Sequence, residues 1–175
     1  MRNQVILVNH RNKAIGTASK EDAHKEPLLH RAFSVFLYHD NKMLIQRRAF
    51  DKYHSGGLWA NTCCSHPRED ETVLGAAKSR LQEEAGISCE LTPIFEFTYQ
   101  HQFAEDLYEH EYDHVFVGEY NGDFHPNPEE ISEMKWVSFE TLKKELEENP
   151  SQFAPWFILA APRVIKEIQR GIKSE

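Results

Sequence analysis

A thiol, an imidazole and a run of carboxylates follow one another closely in this chain. They lie in Trp59-Ala60-Asn61-Thr62-Cys63-Cys64-Ser65-His66-Pro67 and in the acidic stretch Glu71 to Ala85 behind it. The first run reads as a short strand, in which side chains alternate between faces. Thr62, Cys64 and His66 then share one side, and Cys63 and Ser65 the other. Cys64 is a candidate acid or nucleophile and His66 a candidate metal ligand, reaching into the same space. Pro67 ends the strand, since it cannot donate to a sheet ladder. Further on, Glu109 and Glu111 project to one side of another strand, about 7 Å apart along the chain. Their face turns apolar at Val115 and Val117, so the acids stand at the mouth of a core-facing side. His24, His30 and His66 have no zinc-finger spacing. Joined to two carboxylates, these three imidazoles would make a six-coordinate nitrogen and oxygen site suited to manganese, magnesium or zinc. Each feature has a plainer alternative: a free cysteine as a small buried hydrophobe, paired acids as a solvated strand face, histidines as ordinary loop residues.

The elements that must position these groups are bounded by size and composition. At 175 residues the chain is long enough for one good hydrophobic core and short for two, so a single domain over 1–175 is expected. The hydrophobic content of 40% suits an ordinary soluble protein, and no apolar run approaches the roughly 20 residues of a membrane helix. Met1-Arg2-Asn3-Gln4 carries no apolar region of a secretory leader. The three cysteines are odd in number and Cys63 and Cys64 are adjacent, a poor disulfide framework that fits a reducing cytoplasm. A net charge of −8 argues against a general nucleic-acid role. It leaves room for an anionic ligand, because a few Lys and Arg can reverse the potential inside a cleft.

Taken in order, Gln4 to Val8 and Ala14 to Ala18 read as a hairpin around His10-Arg11-Asn12-Lys13. Lys20 to His30 reads as a loop or helical turn that brings two histidines towards the first core strand. Ala32 to Tyr38 and Met43 to Arg48 flank a tight turn at His39-Asp40-Asn41-Lys42. Ala49 to Gly57 is a loop containing Lys52, with a sharp turn at Gly56-Gly57. From Thr72, the positions Val73, Ala76, Ala77, Leu81 and Ala85 follow helical spacing, with Asp70 a candidate N-cap and Gly86 the stop. Ser88 to Phe103 reads as one or two strands and Tyr108 to Tyr120 as another, with Glu109, Glu111, Asp113, Val115 and Val117 on one face. After the loop Gly122 to Glu130 come a strand Ile131 to Val137, a helix Ser138 to Asn149 and a final helix Pro155 to Arg170. Hairpins interspersed with helices give an α+β (mixed α/β) class; the βαβ rhythm of a doubly wound fold is absent.

The helix Thr72 to Ala85 partly resembles the Nudix box: Gly, five residues, Glu, seven residues, then Arg-Glu-aliphatic-any-Glu-Glu-any-Gly-aliphatic. Glu71, Leu81, Glu83, Glu84, Gly86 and Ile87 fall in register, while Ser65, Ser79 and Arg80 replace its first Gly, its Arg and its next Glu. Such a helix places carboxylates where they hold a divalent cation against a diphosphate. The alternative is an amphipathic surface helix with Arg80 and Glu84 paired at i, i+4.

The features together resemble the type I isopentenyl-diphosphate isomerases, Nudix-fold enzymes of isoprenoid synthesis, from about Val5 to Ile168. The most specific pieces are the two histidines before Ala32-Phe33, Arg47-Arg48-Ala49, and Trp59-Ala60-Asn61 leading to Cys64-Ser65-His66-Pro67. Glu109-His110-Glu111 and Phe153-Ala154-Pro155-Trp156 complete the match. The resemblance implies a Nudix-like mixed sheet sandwiched by helices, with an N-terminal hairpin extension. It implies Cys64 and Glu111 as the proton-transfer pair, Tyr99 beside the glutamate and Trp156 over the reacting carbons. It assigns metal binding to His24, His30, His66, Glu109 and Glu111, with a second ion, magnesium held with the diphosphate, at Glu84. Lys20, Arg48, Lys52 and Arg80 would grip the diphosphate. Cys63 points away and is structural. The expected protein is a cytoplasmic monomer acting on a small prenyl diphosphate, with no nucleic-acid or membrane partner. Two other readings remain: a Nudix pyrophosphohydrolase, which has no need of Cys64 or Trp156, and a non-catalytic Nudix-like binding module.

Overall fold

The computed structural model describes residues 4–52 and 55–171. Met1 to Asn3 of the N-terminal run, and Tyr53 and His54 of the Ala49 to Gly57 loop, lie outside them. β1 (Gln4–Val8) and β2 (Ala14–Ser19) form the antiparallel N-terminal hairpin. The segment expected as a loop or helical turn is a helix, α1 (Lys20–Lys25), because the Ser19 hydroxyl accepts the Asp22 N–H and caps it. β3 (His30–His39) and β4 (Lys42–Arg48) follow as the expected hairpin. Asp40 and Asn41 at its tip have φ of 48° and 62°, the left-handed pair such a two-residue turn requires.

The run read as one strand divides into β5 (Trp59–Ala60) and β6 (Cys63–Ser65). The break lies at Asn61-Thr62. The Thr62 hydroxyl accepts the Leu37 N–H and donates to the Leu44 carbonyl, at 2.9 and 2.6 Å, tying β3 to β4. Thr62 therefore does not share the Cys64 and His66 face: it holds the fork between two strands. α2 (Val73–Ala85) starts two residues after Glu71, and its N-cap is Thr72, whose hydroxyl accepts the Gly75 N–H, not Asp70. Gly86 ends it with φ 70°. β7 (Thr92–Ala104) and β8 (Leu107–Glu119) make a long hairpin. β9 (Ile131–Ser138), α3 (Phe139–Glu148), a 3-10 turn Pro150–Gln152 and α4 (Pro155–Gln169) complete the described chain.

The sheet, nine strands among the described residues, is organised on β3. Along one side β3 pairs in parallel with β8, from His30↔Glu111 to Tyr38↔Glu119. Its other side is shared by β1 at His30, β6 at Phe33 to Val35 and β4 at Leu37 to His39. Alternation along β3 sends Phe33, Val35 and Leu37 to one face, where Ala76, Ala77, Leu81 and Ala85 of α2 cover them. Phe36 goes to the other face with Met43, Ile45, Val115 and Val117, under α3 and α4. Each large side chain buried this way contributes about 1.5–3 kcal/mol relative to exposure. The helical layers are thus held by apolar burial on both faces. On the α4 face, β8 changes from Val117 and Val115 to Asp113, Glu111 and Glu109, and α1 rather than α4 packs against its acidic end.

Candidate active site

At that acidic end three imidazoles and two carboxylates converge. His24 lies on α1, and its Nδ1 is 2.6 Å from the Lys20 carbonyl one turn back. His30 opens β3, with Nδ1 2.9 Å from the Leu28 carbonyl. A carbonyl only accepts, so both rings carry the proton on Nδ1 and turn a bare Nε2 inward. His24 Nε2 is 3.5 Å from Glu109 Oε2, and His30 Nε2 is 3.6 Å from Glu111 Oε2. His66, just past β6, brings Nε2 to 3.0 Å from the same Glu111 oxygen. The ring centroids lie 5.0 Å (His30 to His66), 5.5 Å (His24 to His30) and 6.4 Å (His24 to His66) apart.

Burial, and then the charge of Glu109, hold the Glu111 carboxyl above its ordinary range. Burial, with His30 next, holds His66 well below the ordinary imidazole value, as the neutral ring whose lone pair a metal takes. His30 Nε2 is fully buried with no hydrogen-bond partner. Ligand atoms of His30, His66 and Glu111 all lie within 4.8 Å of one another. This donor set fits a divalent ion.

Cys64 and Glu111 reach the site from strands on opposite sides of β3, since Cys64 pairs with Ser34 and Glu111 with His30. The two adjacent cysteines part company as alternation requires. Cys63 is wholly buried towards α2, its Sγ 3.7 Å from Glu84 Oε1. Cys64 faces the cleft, its Sγ 3.7 Å from Arg48 Nη1. Burial pushes the Cys64 thiol up to about 12, against the pull of Arg48, so the thiol keeps its proton at ordinary pH. Tyr99 pairs with Glu111 across the β7–β8 hairpin. Its buried hydroxyl has no hydrogen-bond partner, and burial raises its pKa. Trp156, in the first turn of α4, lies under the Arg48 guanidinium, 5.0 Å from the ring centroid.

A cleft of about 590 Å³ joins these groups to a basic and acidic rim. Lys20, His24, Arg48, Lys52, Cys64, His66, Arg80, Glu84, Glu109, Glu111 and Trp156 all line it, while His30 and Tyr99 stand behind its wall. At the rim Arg80 and Lys52 are already paired. Arg80 Nε and Nη2 lie 3.0 and 2.8 Å from Glu84 Oε2, Arg80 also holds Glu83, and Lys52 holds Glu130. The i, i+4 pair of the plainer helix reading is therefore present, inside the cleft. Burial raises the Glu84 carboxyl although Arg80 works to lower it. Burial, then the nearby Lys52, lowers Lys20.

Several residues here carried no assignment from sequence. Asp113 accepts the Ser34 hydroxyl at 2.9 Å, both buried beneath the cleft, and burial holds it well above the carboxylate range. It stands on the same alternating face as Glu109 and Glu111, a signal that could have drawn attention to it. Glu129 and Glu130 close the rim from the loop before β9, and no local pattern marks them.

The NUDIX domain pattern matches residues 28–157. The chain is 45% identical over 166 residues to "Isopentenyl-diphosphate Delta-isomerase 2" of Aromatoleum aromaticum, covering 94% of this chain and 88% of that one. It is 46% identical over 159 residues to "Isopentenyl-diphosphate Delta-isomerase" of Serratia proteamaculans, covering 90% of this chain and 89% of that one. Among solved structures, the DR0079 protein of Deinococcus radiodurans superposes with a TM-score of 0.70 at 20% identity, over 83% of this chain and 90% of that one. The MutT protein of Methanosarcina mazei does so with a TM-score of 0.60 at 19% identity, over 81% and 94%. These structural likenesses establish the α+β fold, a mixed sheet between helices. The chain belongs to the isopentenyl-diphosphate Delta-isomerase family of NUDIX-domain proteins.

Proposed function

We infer that the chain isomerises isopentenyl diphosphate to dimethylallyl diphosphate, as a single-domain, monomeric, cytoplasmic enzyme of isoprenoid synthesis. The observation that carries this reading is the meeting of Cys64, Glu111 and Trp156 in the cleft whose rim carries Lys20, Lys52 and Arg80. A hydrolase of the fold has no use for that thiol and indole.

The reaction adds a proton to one carbon of a five-carbon unit and removes one from another. It therefore needs two proton carriers within reach of a flat alkene. Cys64 and Glu111 fill these roles: a neutral thiol on one side of β3, and on the other a carboxyl whose raised proton affinity lets it give and take a proton. Tyr99 stands beside Glu111. The intermediate resembles a tertiary carbocation, and the face of Trp156 stabilises such charge by about 0.5–2 kcal/mol, more when water is excluded. Exclusion of water also protects the cation from hydration to an alcohol.

His24, His30, His66, Glu109 and Glu111 would hold one ion of the manganese, magnesium or zinc class, and Glu84 a magnesium ion bound with the diphosphate. Bound there, the first ion supplies positive charge that sets the proton affinity of Glu111 and fixes its orientation. Lys20, Arg48, Lys52 and Arg80 bind the diphosphate oxygens, Arg80 as a fixed fork that cannot accept a proton or ligate a metal. The test is to incubate the protein with isopentenyl diphosphate and magnesium and identify the product. Dimethylallyl diphosphate is expected; phosphate or pyrophosphate release in its place would make the chain a hydrolase.

A further inference from the structure

Asn61 lies in the break between β5 and β6, fully buried, and makes three hydrogen bonds that join different parts of the site. Its Nδ2 donates to the Cys63 carbonyl at 2.7 Å and to the Val35 carbonyl at 3.2 Å. Its Oδ1 accepts the indole Nε1–H of Trp156 at 3.0 Å, across 95 positions of sequence. The orientation of the amide is not open to choice. Both carbonyls only accept and the indole only donates, so a flipped amide would set oxygen against two oxygens and N–H against N–H. One planar group thus ties the indole to β3 and to the peptide immediately before Cys64.

The surroundings show why such a tie is wanted. Trp156 enters α4 two residues after Ala154, a cap with no side-chain hydrogen bond of its own. Main-chain contacts, Ala154 N–H to the Trp59 carbonyl at 2.9 Å and a bridge between Trp59 and Phe153, fix where the helix begins. The Trp156 ring itself is packed in the apolar core under α4, and its polar edge meets a partner there. That edge meets Asn61, while the ring lies under Arg48, whose Nη1 contacts Cys64 Sγ. Asn61 therefore bridges the indole and the peptide before the thiol without lining the cleft itself.

We propose that Asn61 is a positioning residue of the isomerase reaction, holding the Trp156 indole at a fixed offset from the strand that carries Cys64. This rests on the function inferred above. Apolar burial and main-chain bonds keep α4 in place without the amide. Its loss should loosen the ring more than the fold, and misplacement of a catalytic group by about 1 Å costs on the order of a hundredfold.

The test compares Asn61→Ala, Trp156→Phe and the double variant, with indole N–H resonances followed by NMR. Trp156 is identified by the signal that Trp156→Phe removes. In Asn61→Ala that signal should shift, and kcat should fall roughly tenfold to a hundredfold with KM within about twofold, since ground-state diphosphate binding is untouched. In the Trp156→Phe background, where no N–H remains to hold, the same substitution should cost less than about threefold. If Asn61→Ala does not fold, replacing Trp156 by its benzothiophene analogue removes the N–H while keeping the aromatic face, and should give the same loss in kcat. Equal losses in both backgrounds, an unmoved indole signal, or a fully active benzothiophene enzyme would each overturn the proposal. A native protein that fails to isomerise isopentenyl diphosphate, with the indole signal still shifting in Asn61→Ala, would instead reject the inferred function.

Discussion

The two ends of the cleft are built differently. At the inner end Cys64 and Glu111 are placed by strand register, and His24 and His30 are pinned to main-chain carbonyls through Nδ1. At the rim, Arg80 and Lys52 are held by side chains alone, Glu83, Glu84 and Glu130. The inner end is pre-organised, its positions set before anything binds. At the rim Arg80 and Lys52 are already paired with carboxylates; on the function inferred above, diphosphate oxygens would take the place of those carboxylates around each cation. Chemistry that moves protons over a fraction of an ångström demands the first design. Capture of a mobile, multiply charged anion tolerates the second.

The sharpest way to break this contrast is at the inner end. Cys64→Ala and Glu111→Gln should each lower kcat by about 10²–10⁴ with the circular dichroism and thermal transition little changed, because a proton relay has no substitute for a missing end. Cys63→Ala, on the α2 face, should leave kcat nearly unchanged, since its side chain points away from the cleft. An inactive Cys63→Ala beside an active Cys64→Ala would show the strand assigned to the wrong face. His30→Ala or His66→Ala should remove about one tightly bound ion per chain, since a mixed imidazole and carboxylate set loses its metal with a ligand. Elemental analysis finding no metal in active native protein would contradict that.

Substitutions at the rim should have smaller effects of a different kind. Lys52→Ala and Arg80→Gln each remove charge-assisted hydrogen bonds worth about 1.5–3 kcal/mol. KM for isopentenyl diphosphate should rise roughly ten- to a hundredfold, less at high salt because screening weakens the same contact in the native chain, with kcat less affected. A collapse of kcat at constant KM would mean the rim is as catalytic as the inner end.

The smallest effect concerns pH. Burial lifts Cys64 from an ordinary 9.0 to about 12. Below pH 9.0 folded and unfolded chains both keep this proton. Above it the unfolded chain ionises first, so stability falls as pH rises towards about 12. The urea midpoint of Cys64→Ala should decline less steeply over that window than that of the native chain. The buried Cys63 thiol, also raised by burial, keeps part of the slope in both.

How much of this was legible in the sequence depended on whether a strand carried it. The alternation along Tyr108 to Tyr120 placed Glu109, Glu111 and Asp113 on one face with Val115 and Val117, and β8 keeps that order. The opposite facing of Cys63 and Cys64 followed from the same rule. Thr62 was misplaced by it, because the strand breaks at Asn61-Thr62 and a broken strand does not propagate parity. The cap at Thr72 in place of Asp70 turned on one hydroxyl reaching the Gly75 N–H. The Asn61 to Trp156 bond, the Lys52 to Glu130 pair and the Ser34 to Asp113 pair join residues far apart in the chain. Such pairings are decided by tertiary packing, which no local period encodes.

The central claim is that the inner end moves protons on carbon while the rim keeps the diphosphate whole. It is tested most directly by running the reaction on isopentenyl diphosphate in deuterated water and following carbon-bound deuterium and released phosphate together. Deuterium should enter the five-carbon unit of both substrate and product with no phosphate or pyrophosphate set free. Phosphate or pyrophosphate released in step with substrate loss, with no label on carbon, would contradict the account and make this cleft a hydrolase site.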